Sequence, residues 1–241
     1  MKIFETYSRI KQYLRFSKAE LIYLAIISVV VGFIFSMQHP GDELRLFNYL
    51  KYFFLSTILA AIAMFLRVAL QKGYALYRGY YGEFKIWWEG LVASVVIAFL
   101  SLGKLPIVLL GNINSVFMIR HRLGEFRYGY SYEENSVVAL WGLIANLYLA
   151  TLFAILNIAF PGTFFFYTGM LMNIIMMLCF MIPVPWLDGL QIFFGSRFYY
   201  FISLAAAILA SILLLSQTKV GLIIVIVGGA GFAIFRLLWG D

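Results

Sequence analysis

The sequence predicts an all-α integral membrane protein, a polytopic transmembrane helical bundle of about 6–7 spans. Two observations carry that reading. Of 241 residues, 63% are hydrophobic and only 12% charged, where a soluble domain carries about 25% charged residues. The mean hydropathy is +0.93, and a chain of this size has too much surface for its volume to hide such an apolar excess. The excess must face lipid. A disordered chain, a secreted disulfide scaffold and a soluble enzyme are thereby excluded. A single cysteine, Cys179, excludes an internal disulfide and a multi-cysteine metal cage.

Taken in order, residues 1–19 are polar, and Ile3, Phe4, Tyr7, Ile10 and Leu14 recur at helical spacing. They predict an N-terminal amphipathic helix lying on the membrane surface. The apolar run that follows is long enough to span and is expected to stay as an anchor. Candidate spans are 20–37, 50–77, 86–103, 136–160, 163–182, 198–216 and 219–237, since a helix crosses the hydrocarbon in about 20 residues. Residues 105–119 are shorter and broken by Gly111, Asn112 and Asn114. They predict a re-entrant or extended segment packed against protein, because irregular backbone survives at membrane depth only when shielded from lipid. The largest polar region is 120–135, and neither a linker nor a repeat divides the chain, so one membrane domain over 1–241 is expected.

Orientation follows from lysine and arginine. With the N-terminus cytoplasmic, Arg45, Lys51, Lys104 and Lys219 lie outside, Arg67 lies within a span, and all other basic residues lie inside, as the positive-inside rule requires. The expected location is the cell membrane, multi-pass. The net charge of +7 then suits anionic lipid at the cytoplasmic face. Tyr74, Tyr77, Tyr80, Tyr81, Trp87 and Trp88 interleave with Lys72, Arg78 and Lys85. In a soluble protein such a run suits single-stranded nucleic acid; beside apolar spans it reads as an interfacial aromatic belt. No nucleic-acid partner is expected.

Three stretches carry a family pattern. The first is AIAMFLRVALQKGYALYRGYYG at 61–82, the second EENSVVALWGLIANLYLA at 133–150, the third LCFMIPVPWLDGL at 178–190. Together, in order and spacing, they resemble the site-2 proteases, the intramembrane zinc metalloproteases, and most of all their small archaeal members. The resemblance covers about 50–195 as a core and leaves 198–237 as a C-terminal helix pair. It sets Leu70, Gln71, Lys72, Gly73 and Tyr74 at the family's HExxH positions. Gly142 and Asn146 match its G-P-L-x-N helix, with Leu143 in place of proline. Pro183, Pro185, Leu187, Asp188 and Gly189 match its P-x-P-x-L-D-G, with Phe180 in place of an upstream asparagine.

A helical HExxH puts two imidazoles at i and i+4 on one face to bind zinc, and its glutamate serves as general base on the metal-bound water. The family adds a distant aspartate as third ligand. Here Leu70 has no donor atom, Gln71 takes up no proton, and Tyr74 is a phenol with pKa near 10. Only Asp188 remains. His39 and His121 sit in polar turns, and Cys179 lies nine residues before Asp188. The expected cofactor is none, with zinc lost, and the expected chain is not an enzyme. It is instead a pseudoprotease that binds transmembrane segments of clients or serves a larger membrane complex. An active metalloprotease with an atypical metal site and a transporter or channel are the alternatives.

Arg67 would either pair with Asp188 or a partner protein, or snorkel toward water. Asp188 would either take a new binding role or cap the turn after Pro-x-Pro. With Asn146, Pro183 and Pro185 they form the candidate binding set. Tyr74 and Tyr77 could plug a vacated zinc cavity. Gly228, Gly229 and Gly231 would either pack inside the chain or admit another helix.

Overall fold

A computed structural model describes residues 10–37, 46–117 and 131–239. Residues 1–9 of the expected surface helix, His39, Arg45, His121 and most of the polar region 120–135 lie outside them. A helical turn over 10–13 ends in an irregular stretch over 14–17, so the surface helix expected to run through residue 19 stops early. The reason is local: Ser17 takes an extended conformation to cap α1 (Lys18–Ser36). Its Oγ accepts from the Glu20 amide at 3.1 Å, while Glu20 Oε2 accepts from the Ser17 amide at 2.8 Å. This reciprocal capping box satisfies two amides that a helix start leaves bare.

α2 (Leu46–Tyr77) packs against α1. The two approach closely at Gly32, where a Cβ would stand 2.7 Å from the Thr57 Cα. After α2 the chain departs from the all-α expectation. β1 (Tyr80–Ile86) pairs antiparallel with β2 (Gly111–Phe117), Tyr80 opposite Phe117 and Ile86 opposite Gly111. Gly82, Phe84 and Ile86 point inward, and Glu83 and Lys85 outward, the period of two that a half-buried strand imposes. Gly111 has φ of 140° and stands so close to the Lys85 carbonyl that a Cβ would lie 2.1 Å from its oxygen; only glycine fits there.

Between the strands, α3 (Trp88–Leu100) has 13 residues, about 20 Å at 1.5 Å per residue. That is too short to cross alone the span expected over 86–103. Of the segment 105–119 that the sequence reads as re-entrant or extended, 105–110 are irregular and 111–117 form β2, and the segment is held to protein. Leu109 donates to Ser94 Oγ at 2.8 Å, and Trp87 donates to the Leu110 carbonyl at 2.8 Å.

The rest is helical: α4 (Tyr132–Ala159), α5 (Phe164–Phe180), α6 (Asp188–Gly195), α7 (Arg197–Leu215) and α8 (Lys219–Trp239). Among the described residues α1, α2, α4 and α7 are long and apolar enough to cross a membrane, while α3 and α5 are shorter. Phe54, Val92, Leu152, Phe201 and Val227 are exposed, as lipid-facing positions of a membrane protein are. The main core joins α1, α2, α4 and α5, from Ile27 and Phe35 through Met64 to Met176 and Phe180, while Ile192 of α6 packs in a smaller cluster with Ala139, Leu140, Met181 and Tyr200.

Candidate functional site

A charge inside an apolar bundle needs a partner, and Arg67 finds one. It lies on α2, 1% exposed, and its Nη2 donates to Oδ2 of Asp188, itself 2% exposed. Gln71, one turn further along α2, donates from Nε2 to the same oxygen at 2.7 Å. Arg67 Nη1 donates to the Gly142 carbonyl of α4 at 3.2 Å. The guanidinium also rests on the Phe180 ring of α5, with Cζ 3.4 Å from the centroid, a cation–π contact. Four helices therefore meet at one ion pair. Gly142 makes room for it, since a Cβ there would lie 2.4 Å from Gln71 Nε2 and 3.1 Å from Arg67 Cζ.

The third stretch explains how Asp188 arrives. Pro183 and Pro185 follow the end of α5, and a proline cannot donate to a continuing helix. Trp186 turns the chain with φ of 69°, Leu187 is the extended N-cap, and Asp188 is the first residue of α6. Gly189 sits against the Met181 carbonyl, where a Cβ would lie 2.3 Å from the oxygen. Turn, helix start and close approach together aim the carboxylate at α2.

Of the fates open to Arg67, the structure shows the pair with Asp188. The Asp188 carboxylate meets α2 side chains instead of capping its own turn. Asp188 draws its hydrogen bonds from Arg67 and Gln71, four residues apart, and not from the Leu70 and Tyr74 pair. Leu70 is half-buried. Tyr74 stacks on Trp141 with centroids 5.2 Å apart, so it fills space beside α4. Asn146, one turn beyond Gly142, is fully buried, and neither of its amide atoms has a hydrogen-bond partner among the described residues. Gly228 and Gly231 meet nothing within 4 Å, and Gly229 meets only Leu147 at 3.7 Å.

A second buried ion pair went unread in the sequence. Lys72, 2% exposed, donates to Glu20 Oε2 at 2.7 Å and to the Arg15 carbonyl at 3.0 Å. Glu20 Oε1 accepts the Phe84 amide of β1 at 2.8 Å. The charge balance counts Lys72 only as one of the basic residues on the cytoplasmic side of the 50–77 span; it is a buried residue of α2 that binds the start of α1 to the sheet. The capping-box spacing Ser17–Glu20 was the available signal, although it does not name Lys72. Nearby, burial together with the Glu20 and Glu83 carboxylates raises the Tyr81 phenol above its ordinary pKa.

The chain is similar to a protein of Methanocaldococcus jannaschii described as a "putative zinc metalloprotease". It is 28% identical over 179 residues, which cover 73% of this chain and 83% of that protein. No family model matches the chain, and no solved structure matches it. The likeness supports a metalloprotease-like kinship, and it corrects one expectation. The lost ligand positions alone predict a chain that is not an enzyme, whereas this relative points to a protease.

The relative's description implies zinc, and the residues around Asp188 do not fit it. Zinc is held by thiolate, imidazole and carboxylate. Among the described residues no three of His, Cys, Asp and Glu come together. The Asp188 oxygen that faces α2 already accepts from a guanidinium and an amide. No hydrolytic step through a metal follows from this donor set.

Proposed function

We propose that the chain is a site-2-protease-like membrane protein that engages transmembrane segments of other membrane proteins. It does so as a client-binding or accessory subunit of a larger membrane complex with a chaperone, assembly or insertion role. The bilayer is its solvent, and the N-terminus is cytoplasmic. In this reading the 6–7 spans are completed by α3 with the segment 105–117, and by α5 and α8.

One observation carries the binding role. Asn146 is buried, with both amide atoms unpaired among the described residues. A buried amide without partners is unfavourable by about 1–3 kcal/mol. A guest helix that unwinds exposes main-chain N–H and C=O groups, which need partners in an apolar medium. The Asn146 amide supplies a donor and an acceptor for them.

The test is Asn146→Leu, close in volume, with client capture read by site-specific photocrosslinking in membranes. One hydrogen bond of about 1 kcal/mol corresponds to about fivefold in capture. Capture is expected to fall by that factor while the melting temperature holds or rises. Unchanged capture defeats the reading.

The metalloprotease relative favours a second reading, in which the engaged segment is also cut. Cleavage of a transmembrane substrate by the purified chain, stopped by a chelator and by Asp188→Ala, would establish it. Intact substrate after prolonged incubation with added zinc would remove it.

A further inference from the structure

Two residues spaced i and i+4 on one helix, converging on a distant carboxylate, are the geometry of a two-histidine, one-carboxylate zinc site. In this chain that geometry belongs to Arg67 and Gln71, not to Leu70 and Tyr74. Both reach the same oxygen of Asp188, Arg67 through Nη2 and Gln71 through Nε2 at 2.7 Å. Neither presents a metal donor to the carboxylate: Arg67 carries only N–H groups, and Gln71 turns its amide nitrogen toward Asp188. The cation at the centre is supplied by the chain.

We propose that Arg67 is a built-in surrogate for a metal ion. Its guanidinium occupies the place a zinc ion would take against Asp188, and Arg67 and Gln71 stand at the two positions from which a helix would present histidines.

Three features of the surroundings agree. The Gly142 carbonyl accepts from Nη1 at 3.2 Å, and the Phe180 ring covers the guanidinium face. The cation is thus held on more than one side, as a bound metal is. Gly142 is tight against both α2 side chains, so the cradle is shaped to a group of this size. And the pair is buried on both sides, 1% and 2% exposed, where a guanidinium opposite a carboxylate stays charged. The inference concerns the metal position and is independent of what Asn146 binds.

The experiment restores the ligands in each register. Arg67→His/Gln71→His is expected to bind about one zinc per chain, read by elemental analysis. Its melting temperature should rise with zinc and fall with chelator, and the zinc should be lost when Asp188→Ala is added. Leu70→His/Tyr74→His is expected to bind none. The unaltered chain should purify without stoichiometric zinc and melt at the same temperature with and without chelator.

Zinc uptake by the 70/74 pair and not the 67/71 pair would overturn the proposal. So would stoichiometric zinc in the unaltered chain that is lost in Asp188→Ala. A second comparison does not depend on the double variant folding. Arg67→Lys keeps a cation and should melt closer to the unaltered chain than Arg67→Met, of similar length. Equal losses would also overturn it.

Discussion

Removing the Asp188 carboxylate while leaving Arg67 in place is the most informative single perturbation of the core. In Asp188→Ala the guanidinium keeps its hydrogen bond to the Gly142 carbonyl and its contact with the Phe180 ring. It loses the only anion it touches among the described residues. Both partners are nearly inaccessible, with side chains 2% and 3% exposed, so water does not replace the carboxylate. Breaking a buried pair from one side destabilises by about 3–5 kcal/mol. At about 2–4 °C per kcal/mol for a chain of this size, the melting temperature falls by roughly 6–20 °C. Gln71 adds to the loss, because its Nε2 is also left without an acceptor.

The control is Arg67→Met/Asp188→Leu, which removes both charges and fills the space with apolar groups. Such replacements are often neutral or stabilising, so the double variant should melt far above Asp188→Ala and near the unaltered chain. Melting in mild detergent, followed by helical circular dichroism, reads both. A drop under about 1 kcal/mol in Asp188→Ala would be the behaviour of an exposed pair and would refute the argument. So would additivity of the two single exchanges, since residues in contact couple by roughly 0.5–3 kcal/mol.

Three further outcomes follow from close contacts and caps. Gly189→Ala places a Cβ 2.3 Å from the Met181 carbonyl oxygen. Backbone cannot yield as a side chain does, and a loss of about 1–3 kcal/mol is expected in the same melting assay. Gly32→Ala meets the Thr57 backbone at 2.7 Å and should lower stability by a similar amount by forcing α1 and α2 apart, an effect absent in Thr57→Ser. Glu20→Gln keeps the size of the side chain but removes the charge facing Lys72. It should loosen the start of α1 and speed proteolysis of the preceding segment several-fold, with little change in Gly189→Ala run in parallel.

Some of this was legible in the sequence, and the reasons are specific. Apolar composition announces the membrane because no soluble core could absorb it. The P-x-P-x-L-D-G turn is readable because each residue acts locally: the prolines stop a helix, and Gly189 admits a carbonyl. The extended run after α3 shows in Gly111, Asn112 and Asn114, which break an apolar stretch.

What the sequence hides is whatever depends on rotation and depth. β1 is seven residues of alternating pattern lodged between two apolar helices, and its aromatic start reads equally as a membrane belt. Lys72 and Glu20 are 52 residues apart. Their meeting depends on how α2 is turned against α1. The same uncertainty displaced the motif register: Leu70 and Tyr74 have the right spacing, and so have Arg67 and Gln71. Only the azimuth of α2 decides which pair faces Asp188.

That azimuth is itself fixed by charge. Arg67 and Lys72 are five residues apart, so on a helix of 3.6 residues per turn they point about 140° away from each other. One is neutralised by α6 and the other by α1. Apolar side chains would stabilise these contacts as well, and in lipid they would do little to choose between neighbouring rotations of α2, because tails are as apolar as leucine. Two buried cations on opposite faces choose strongly, since any rotation that satisfies one and strands the other leaves a charge without a partner. A lengthwise slip fails on the same ground. The pairs therefore act as a two-sided key that sets α2 in both rotation and depth, and on that setting depends how Arg67 and Gln71 meet Asp188 of α6 and the Gly142 carbonyl of α4.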